Sequence, residues 1–286
     1  MAKNEFLPFG TAANANVLPN ADYLALPERS SGFNSGVAKS DQLNTVWRQA
    51  SVIASTIAQF IADSSGNDVL DDGDLLTLQE NLKLALNKQA TGRLLGIKTF
   101  SANGSYSPTP GTKKILVKVW GGGGGGGNTD VSGAGGPSGS GGGYAEGLFE
   151  VPTSTVSVTV GTGGAEVAAN TAASGGNGGA SSFGSLINCG GGTGGTIASN
   201  TIPGGSATGG NVLNSPGQGG QGGVAGLGGT GGGSFGSFGG LPHNSSNGDN
   251  GGFPGGGGAG GTKESSTKYF ASGRGASGYV IVTEYA

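Results

Sequence analysis

Charge is scarce in this chain. Between Lys118 and Lys263 there is no lysine or arginine and only five acidic residues. A nucleic-acid groove releases counterions from a basic stripe, and an anionic membrane holds a protein through a polybasic cluster, so neither partner is expected. A binding face here should be neutral. Cysteine is nearly missing too: Cys189 stands alone, which excludes an intrachain disulfide. No run approaches the roughly twenty apolar residues of a membrane-spanning helix. The opening MAKNEFLPFG has one lysine and no apolar stretch of signal-peptide length, so neither a leader nor membrane insertion is expected. A single histidine, His243, excludes a multi-histidine metal site within one chain, although copies could meet on an oligomer axis.

Glycine is abundant but unevenly placed. Of 67 glycines, 58 lie after Trp120, where they make up about a third of the residues. Two kinds of structure follow, and the fold class expected is α+β: an N-terminal attachment and helical region over 1–98, a linker over 99–112 and a glycine-rich domain over 113–286. Residues 1–40 read as a loop-like attachment segment broken by Pro8, Pro19 and Pro27. From Asp41 the residues Leu43, Ala50 and Ile57 recur every seven, with Val46/Trp47, Ile53/Ala54 and Phe60/Ile61 between them, which predicts a helix over 41–62. Ser40 or Asp41 would cap its start and Gly66 lies just past its end. A second helix is predicted over 74–89, capped by Asp74, with Leu75, Leu78 and Leu82 on one face. The two stripes either close on each other as a hairpin or meet copies of themselves about an axis. Heptad spacing favours self-association, and a homotrimer is expected through Leu43, Trp47, Ala50, Ile53, Ile57, Phe60, Leu75, Leu78 and Leu82.

In the second half, KKILVKVW at 113–120 puts Ile115, Val117 and Val119 on one face and reads as a strand. Segments 143–151, 154–161, 181–189 and 278–285 have the same character and together predict a small sheet or sandwich closed by pairing its ends. The glycine runs between them admit two readings. As coil they would be linkers, since glycine loses the most backbone entropy on ordering. As ordered segments with three residues per turn they would lie side by side, with backbone hydrogen bonds replacing a side-chain core. The interleaved apolar strands and the missing charges favour order. Collagen is excluded because glycine does not recur strictly at every third position.

Between the runs lie glycine-poor stretches at 128–132, 165–174, 196–202, 211–216 and 234–250, expected as loops at the ends of such a lattice. Loops on a rigid scaffold are where recognition is usually placed. The candidate receptor-binding residues are Asn128, Asp130, Asn170, Asn200, Asn211, Asn214, Phe235, Phe238, Leu241, His243, Asn244 and Asn247. They mix apolar anchors with adaptable amides, which suits a neutral surface. The phenylalanines could equally plug the sheet or an oligomer axis.

Catalytic patterns are weak. Glycine density generates GxGxxG by chance, and no GK[ST] follows any run. In DVLDDGD a calcium loop would need oxygen ligands where Leu70 and Gln79 fall, so helix capping explains the acids better. Cys189 follows an apolar strand with no base to activate it. Glu146 and Glu150 share one strand face roughly 13 Å apart at about 3.3 Å per residue, too far for glycoside hydrolysis. The expectation is a protein that is not an enzyme and uses no metal or cofactor.

KKILVKVWGGGGGGG followed by GGGYAEGLFEV, together with GGASSFG at 178–184, resembles a glycine-rich domain found at the C-terminus of phage tail fibres. The alternation of glycine runs and loops over 100–286 is also similar to the tip adhesins of T-even-type phages. In that family the glycine motifs form stacked polyglycine-II helices, and the loops contact outer-membrane proteins or lipopolysaccharide. The stretch from NEFLPFG through VAKSDQLNTVWRQASVIASTIAQFIADSSG is similar to the start of tail-fibre proteins from Mu-like prophages, a departure from T-even adhesins, which cap a separate fibre. The resemblance implies a virion tail-fibre adhesin, made in the host cytoplasm and acting outside the host cell. Its partners would be a surface receptor (outer-membrane protein, pilus or lipopolysaccharide) and the phage baseplate or tail. The alternatives are a structural tail component that does not touch the receptor and, behind it, a surface-glycan depolymerase.

Overall fold

A computed structural model describes residues 2–34, 36–90, 92–197, 202–265 and 268–286. The architecture is mixed α+β and divides into two compact units, residues 1–91 and 92–286. Among the described residues no helix is long and apolar enough to cross a membrane.

Among the described residues the first unit holds α1 (Asn20–Ala25), α2 (Glu28–Ser31), α3 (Ser40–Ser65) and α4 (Leu75–Gln89). Helix α3 stops where Gly66 turns left-handed at φ 81°, as its position in the sequence predicts. Its start differs: Lys39 is the cap, Ser40 is already helical, and the Ser40 hydroxyl accepts instead from the Asn16 amide at 3.0 Å. Asp74 does cap α4, accepting from the Leu76 and Thr77 amides at 3.1 Å each. The two helices pair within the chain. Ala58, Ile61 and Ala62 meet Val69, Leu78 and Leu82 in a small core that also takes Ala2 and Phe6. Each buried side chain of Ile or Val size is worth about 1.5–3 kcal/mol. The segment over 1–40 is more than a loop. It includes α1 and α2, and Lys3 and Glu5 exchange backbone bonds with Val69 at 2.8 and 3.0 Å.

In the second unit two antiparallel sheets face each other. One runs β1 (Leu94–Phe100), β10 (Tyr279–Tyr285), β3 (Lys114–Trp120), β4 (Tyr144–Glu150), β9 (Leu213–Ser215). The other runs β2 (Gly104–Tyr106), β5 (Val156–Thr159), β6 (Ser181–Phe183), β7 (Ile187–Cys189), β8 (Ala207–Thr208). The alternation in β3 comes out as predicted: Ile115, Val117 and Val119 are fully buried, opposite Val158, Phe183 and Ile187 of the second sheet. The ends of the unit pair, with Tyr279 opposite Trp120 and Tyr285 opposite Lys114. Three expectations change. Residues 99–112 are no free linker, because β1 ends and β2 lies within them. The 181–189 strand is a hairpin turning at Gly184, where φ is 51°. The 211–216 loop contains β9, a three-residue edge strand.

The glycine runs continue the strands beyond the sandwich. Over 121–127 successive amides donate to three different segments in turn, so the partner segment repeats every third residue. Gly121, Gly124 and Gly127 donate to Gly143, Ser140 and Pro137; Gly122 and Gly125 to Gly179 and Gly176; Gly123 and Gly126 to Ala276 and Gly273. The carbonyls accept from three further segments, for instance Gly122 from Gly192, Gly123 from Gly164 and Gly124 from Gly258. One run thus has six neighbours. A Cβ on Gly126 would lie 1.8 Å from the Ala259 carbonyl oxygen, which is why no side chain fits there. Ordering a residue costs about 1–2 kcal/mol, and a backbone bond returns about 0.5–1.5 kcal/mol net. The lattice therefore closes only when nearly every amide is used. Two of the serines that enter it each donate and accept. Ser272 Oγ donates to the Gly126 carbonyl at 2.6 Å and accepts from the Val167 amide at 2.7 Å. Ser140 Oγ does the same with Pro203 and Thr193, at 2.7 Å each.

Candidate functional site

The lattice has two ends, and the chain's binding candidates divide between them. At the sheet end, β3 runs into Gly121, while Gly143 and Gly278 lead into β4 and β10. At the far end the same rods terminate in loops around residues 128–134, 165–174, 224–227, 243–248, 262–265 and 268–271. The stretch 234–250, expected to be one long loop, is two turns at opposite ends. Ser234 Oγ donates to the Gly142 carbonyl at 2.8 Å, beside the sheet, whereas the His243 carbonyl accepts from Thr262 Oγ1 at 2.9 Å at the far end. Between them Gly240 is a lattice residue, donating to Gly257 and accepting from Gly231.

At the far end Asp130, Asn170, His243, Asn244 and Asn247 are all exposed. Several are held in place by the backbone around them. Asn170 sits at φ 60° and its Oδ1 accepts from the Tyr269 amide at 3.2 Å. Asn247 Oδ1 accepts from the Ala271 amide at 2.9 Å. His243 Nε2 lies 3.1 Å from Asp249 Oδ1. Lys263 donates to the Asp130 carbonyl and stands 4.6 Å over the Tyr269 ring. Two exposed valines, absent from the sequence-based set, belong here: Val131 (60 % exposed) and Val224 (63 %), on neighbouring turns joined by the Gly226 amide and the Gly133 carbonyl.

Three candidates are spent on the scaffold. Asn128 is buried at the end of its rod, donating to the Thr171 carbonyl at 3.0 Å, and its Oδ1 has no partner among the described residues. Asn211 pins the edge of β4 by bonding both the amide and the carbonyl of Leu148 at 2.8 Å. Asn214, on β9, closes onto Gly210 in the same two-way fashion at 3.0 and 2.6 Å. An amide that mimics a backbone pair in this way is a strand terminator, not a free recognition group. Asn200 lies outside the described residues.

The sheet end gathers rings. Phe235 stacks on Tyr144 at 4.4 Å and 9°, Trp120 packs against Tyr144 at 4.7 Å and Tyr279 at 6.4 Å, and Phe253 meets Tyr279 edge-on at 5.2 Å. Trp120 Nε1 donates to the Phe235 carbonyl at 2.8 Å, fixing the turn over the sheet. Tyr144 is buried beneath, its hydroxyl donating to Glu146 at 2.7 Å. Burial, then this carboxylate, pushes its pKa well up. Phe238 is 70 % exposed, and its ring lies over Gly252. Leu241 is exposed along the same return segment. The sequence carried a signal for this cluster: Trp120, Tyr144 and Tyr279 each occupy the strand position next to a glycine, and the register sets the three side by side.

The outer face of β4 also carries Glu146 and Glu150, each 3.6 Å from a lysine of β3, Lys118 and Lys114 respectively. Cys189 is buried against the Val119 carbonyl at 3.3 Å, and burial pushes its thiol up to about 12. Of the helical residues expected to self-associate, Leu78 and Leu82 are used in the intrachain core and Leu43 is half-buried, while Trp47, Ala50, Ile53, Ile57, Phe60 and Leu75 stay exposed.

What these elements define is a β-sandwich domain extended by a glycine lattice. Residues 99–285 match the family described as "Glycine-rich domain", and the chain belongs to it. No curated protein matches the chain.

Proposed function

We propose that this protein is a non-catalytic bacteriophage tail-fibre adhesin whose far-end loops bind a receptor on the bacterial surface, and that the glycine lattice is a polyglycine-II sandwich. The observation that carries the reading is the far end itself: Asp130, Val131, Asn170, Val224, His243, Asn244 and Asn247 stand exposed on turns whose backbone is tied to a hydrogen-bonded scaffold. Loops held in this way present a fixed surface at low entropic cost on binding. The surface pairs small apolar tips with amides, and its lysine is engaged by a carbonyl, which suits an uncharged receptor. The threefold repeat of hydrogen-bond partners along 121–127 supports the polyglycine-II reading. The exposed stripe of α3, with Trp47 and Ile53 among its most open residues, supports a homotrimer. Attachment to the tail or baseplate then falls to the helical unit, and the protein's place is the virion.

The test is binding of labelled full-length protein to a panel of Gram-negative cells, with competition against phage adsorption. Saturable binding that blocks infection, lost when residues 242–248 are replaced by a glycine-serine turn, is the expected result. Absence of binding to every susceptible strain would overturn the proposal. A second reading, a structural virion component, draws on Asn128, Asn211 and Asn214, whose amides serve the scaffold. Particles lacking residues 113–286 that still attach would favour it.

A further inference from the structure

On the flank of the lattice, reaching from the sheet end, we infer a second binding site: a cleft that takes a hexopyranose unit of a neutral saccharide chain. The cleft has a volume of about 440 Å³, within the usual range for small-molecule sites, and Phe253 forms one wall. Around the ring stand Ser101, Asn250, Arg274 and Ser277. Phe253 is 58 % exposed yet packs against Tyr279 at 5.2 Å, so an accessible ring is already held in place.

The polar groups are placed but not consumed. Asn250 Oδ1 accepts from the Arg274 backbone amide at 2.8 Å, which fixes the side chain and turns its Nδ2 outward from that bond. Arg274 Nε donates to Glu166 Oε2 at 2.8 Å, so the guanidinium is anchored and its charge balanced. Among the described residues, the Arg274 Nη groups, the Asn250 Nδ2 and the Ser101 and Ser277 hydroxyls have no protein partner.

This combination selects its occupant. A pyranose ring offers a C–H face that lies on an aromatic ring and a rim of hydroxyls that both donate and accept. The cleft supplies the ring, two hydroxyls that do either, and fixed N–H donors. An apolar helix seated here would strand those donors, which is costly. An anionic sugar or lipid headgroup would meet an arginine already neutralised by Glu166. The cleft is open to solvent on one side, so the unit it holds can belong to a longer chain.

Saturation-transfer NMR on the full-length protein, with the methyl glycosides of glucose, galactose, mannose, rhamnose and N-acetylglucosamine as probes, tests the site. We expect transfer to the ring C–H protons of at least one of them. The affinity should fall at least about tenfold in Phe253→Ala, as for loss of an aromatic anchor. It should recover in Phe253→Trp and weaken in Ser277→Val, with the circular dichroism unchanged in all three. No transfer from any glycoside, or unaltered binding by Phe253→Ala, overturns the inference. So does Phe253-dependent uptake onto phosphatidylcholine vesicles without glycoside binding. The adhesin reading supplies only the source of the sugar. Cell binding without glycoside transfer removes this site and leaves that reading standing; glycoside transfer without cell binding does the reverse.

Discussion

The two units of this chain use glycine for opposite purposes. In residues 1–91 glycine punctuates: Gly66 and Gly73 take positive φ, the first with only the tip of Lys88 near it and the second in open space, and the stability comes from Ile61, Val69 and their neighbours. In residues 92–286 glycine is the building material, and an added Cβ would strike another segment's backbone at nearly every position of a run. The helical unit buries apolar side chains and has more of them than it can cover. The lattice has almost none and covers backbone with backbone. A side-chain core tolerates trimming and some overpacking. A lattice of touching main chains has nothing to trim and no slack to give.

The sharpest test of that contrast is Gly126→Ala. With the Ala259 carbonyl 1.8 Å from the new methyl group, we expect a loss of more than about 4 kcal/mol and melting of the lattice, seen in thermal unfolding and in amide exchange over 121–127. A normal melt would mean that the runs are looser than their hydrogen bonds indicate.

Next in size is Glu284, fully buried in β10, where it accepts from Tyr106 Oη at 2.8 Å, from Thr109 through its amide at 2.9 Å and its hydroxyl at 2.6 Å, and faces Lys98 at 3.3 Å. Glu284→Ala should cost about 3 kcal/mol in denaturant unfolding, because it leaves these partners unmet. Burial alone would raise the carboxyl's pKa, but the donors from Thr109, Tyr106 and Lys98 outweigh it and hold it below the usual carboxylate range. The unfolded chain therefore binds this proton first. The stabilisation should be complete above the ordinary glutamate pKa and disappear as the pH falls through the depressed folded value. Glu284→Gln should flatten that acid limb.

Gly226→Ala offers the milder counterpart to Gly126: φ is 74° with nothing within 4 Å of the new methyl, so only backbone strain is incurred, about 1 kcal/mol in the same melt. Smallest in stability is the double change Ile53→Asp and Ile57→Asp on the exposed face of α3, expected to stay within about 0.5 kcal/mol of wild type. Its effect should appear in analytical ultracentrifugation as loss of the proposed trimer. An unchanged sedimentation coefficient would remove that face from any assembly.

How much of this could be read from sequence depends on whether the deciding partner is local. Strand β3 was legible because Ile115, Val117 and Val119 alternate within one segment. The Asp74 cap and the Gly66 stop were legible for the same reason, as each acts within a turn of its own helix. Strand β9 was not, since only three residues pair and Leu213 is left largely exposed at the edge. The roles of Asn128, Asn211 and Asn214 were hidden because a side-chain amide looks the same whether its partner is a receptor or a carbonyl 63 positions back in the chain, as for Asn211 and Leu148. The splitting of 234–250 was hidden too. Gly239 and Gly240 are too short to read as a rod, and become one only beside Gly231 and Gly257.

The repeat of hydrogen-bond partners at every third residue has a genetic corollary. Adding or removing one codon inside a run such as 121–127 would rotate every following amide toward the wrong neighbour, so the lattice admits insertions and deletions only in threes. The turns at 128–134 and 242–248 obey no such rule, since a rod need only leave and re-enter in phase. Length variation in this gene should accordingly be free at the loops and quantised within the rods, which lets the loop surface drift while its support stays locked.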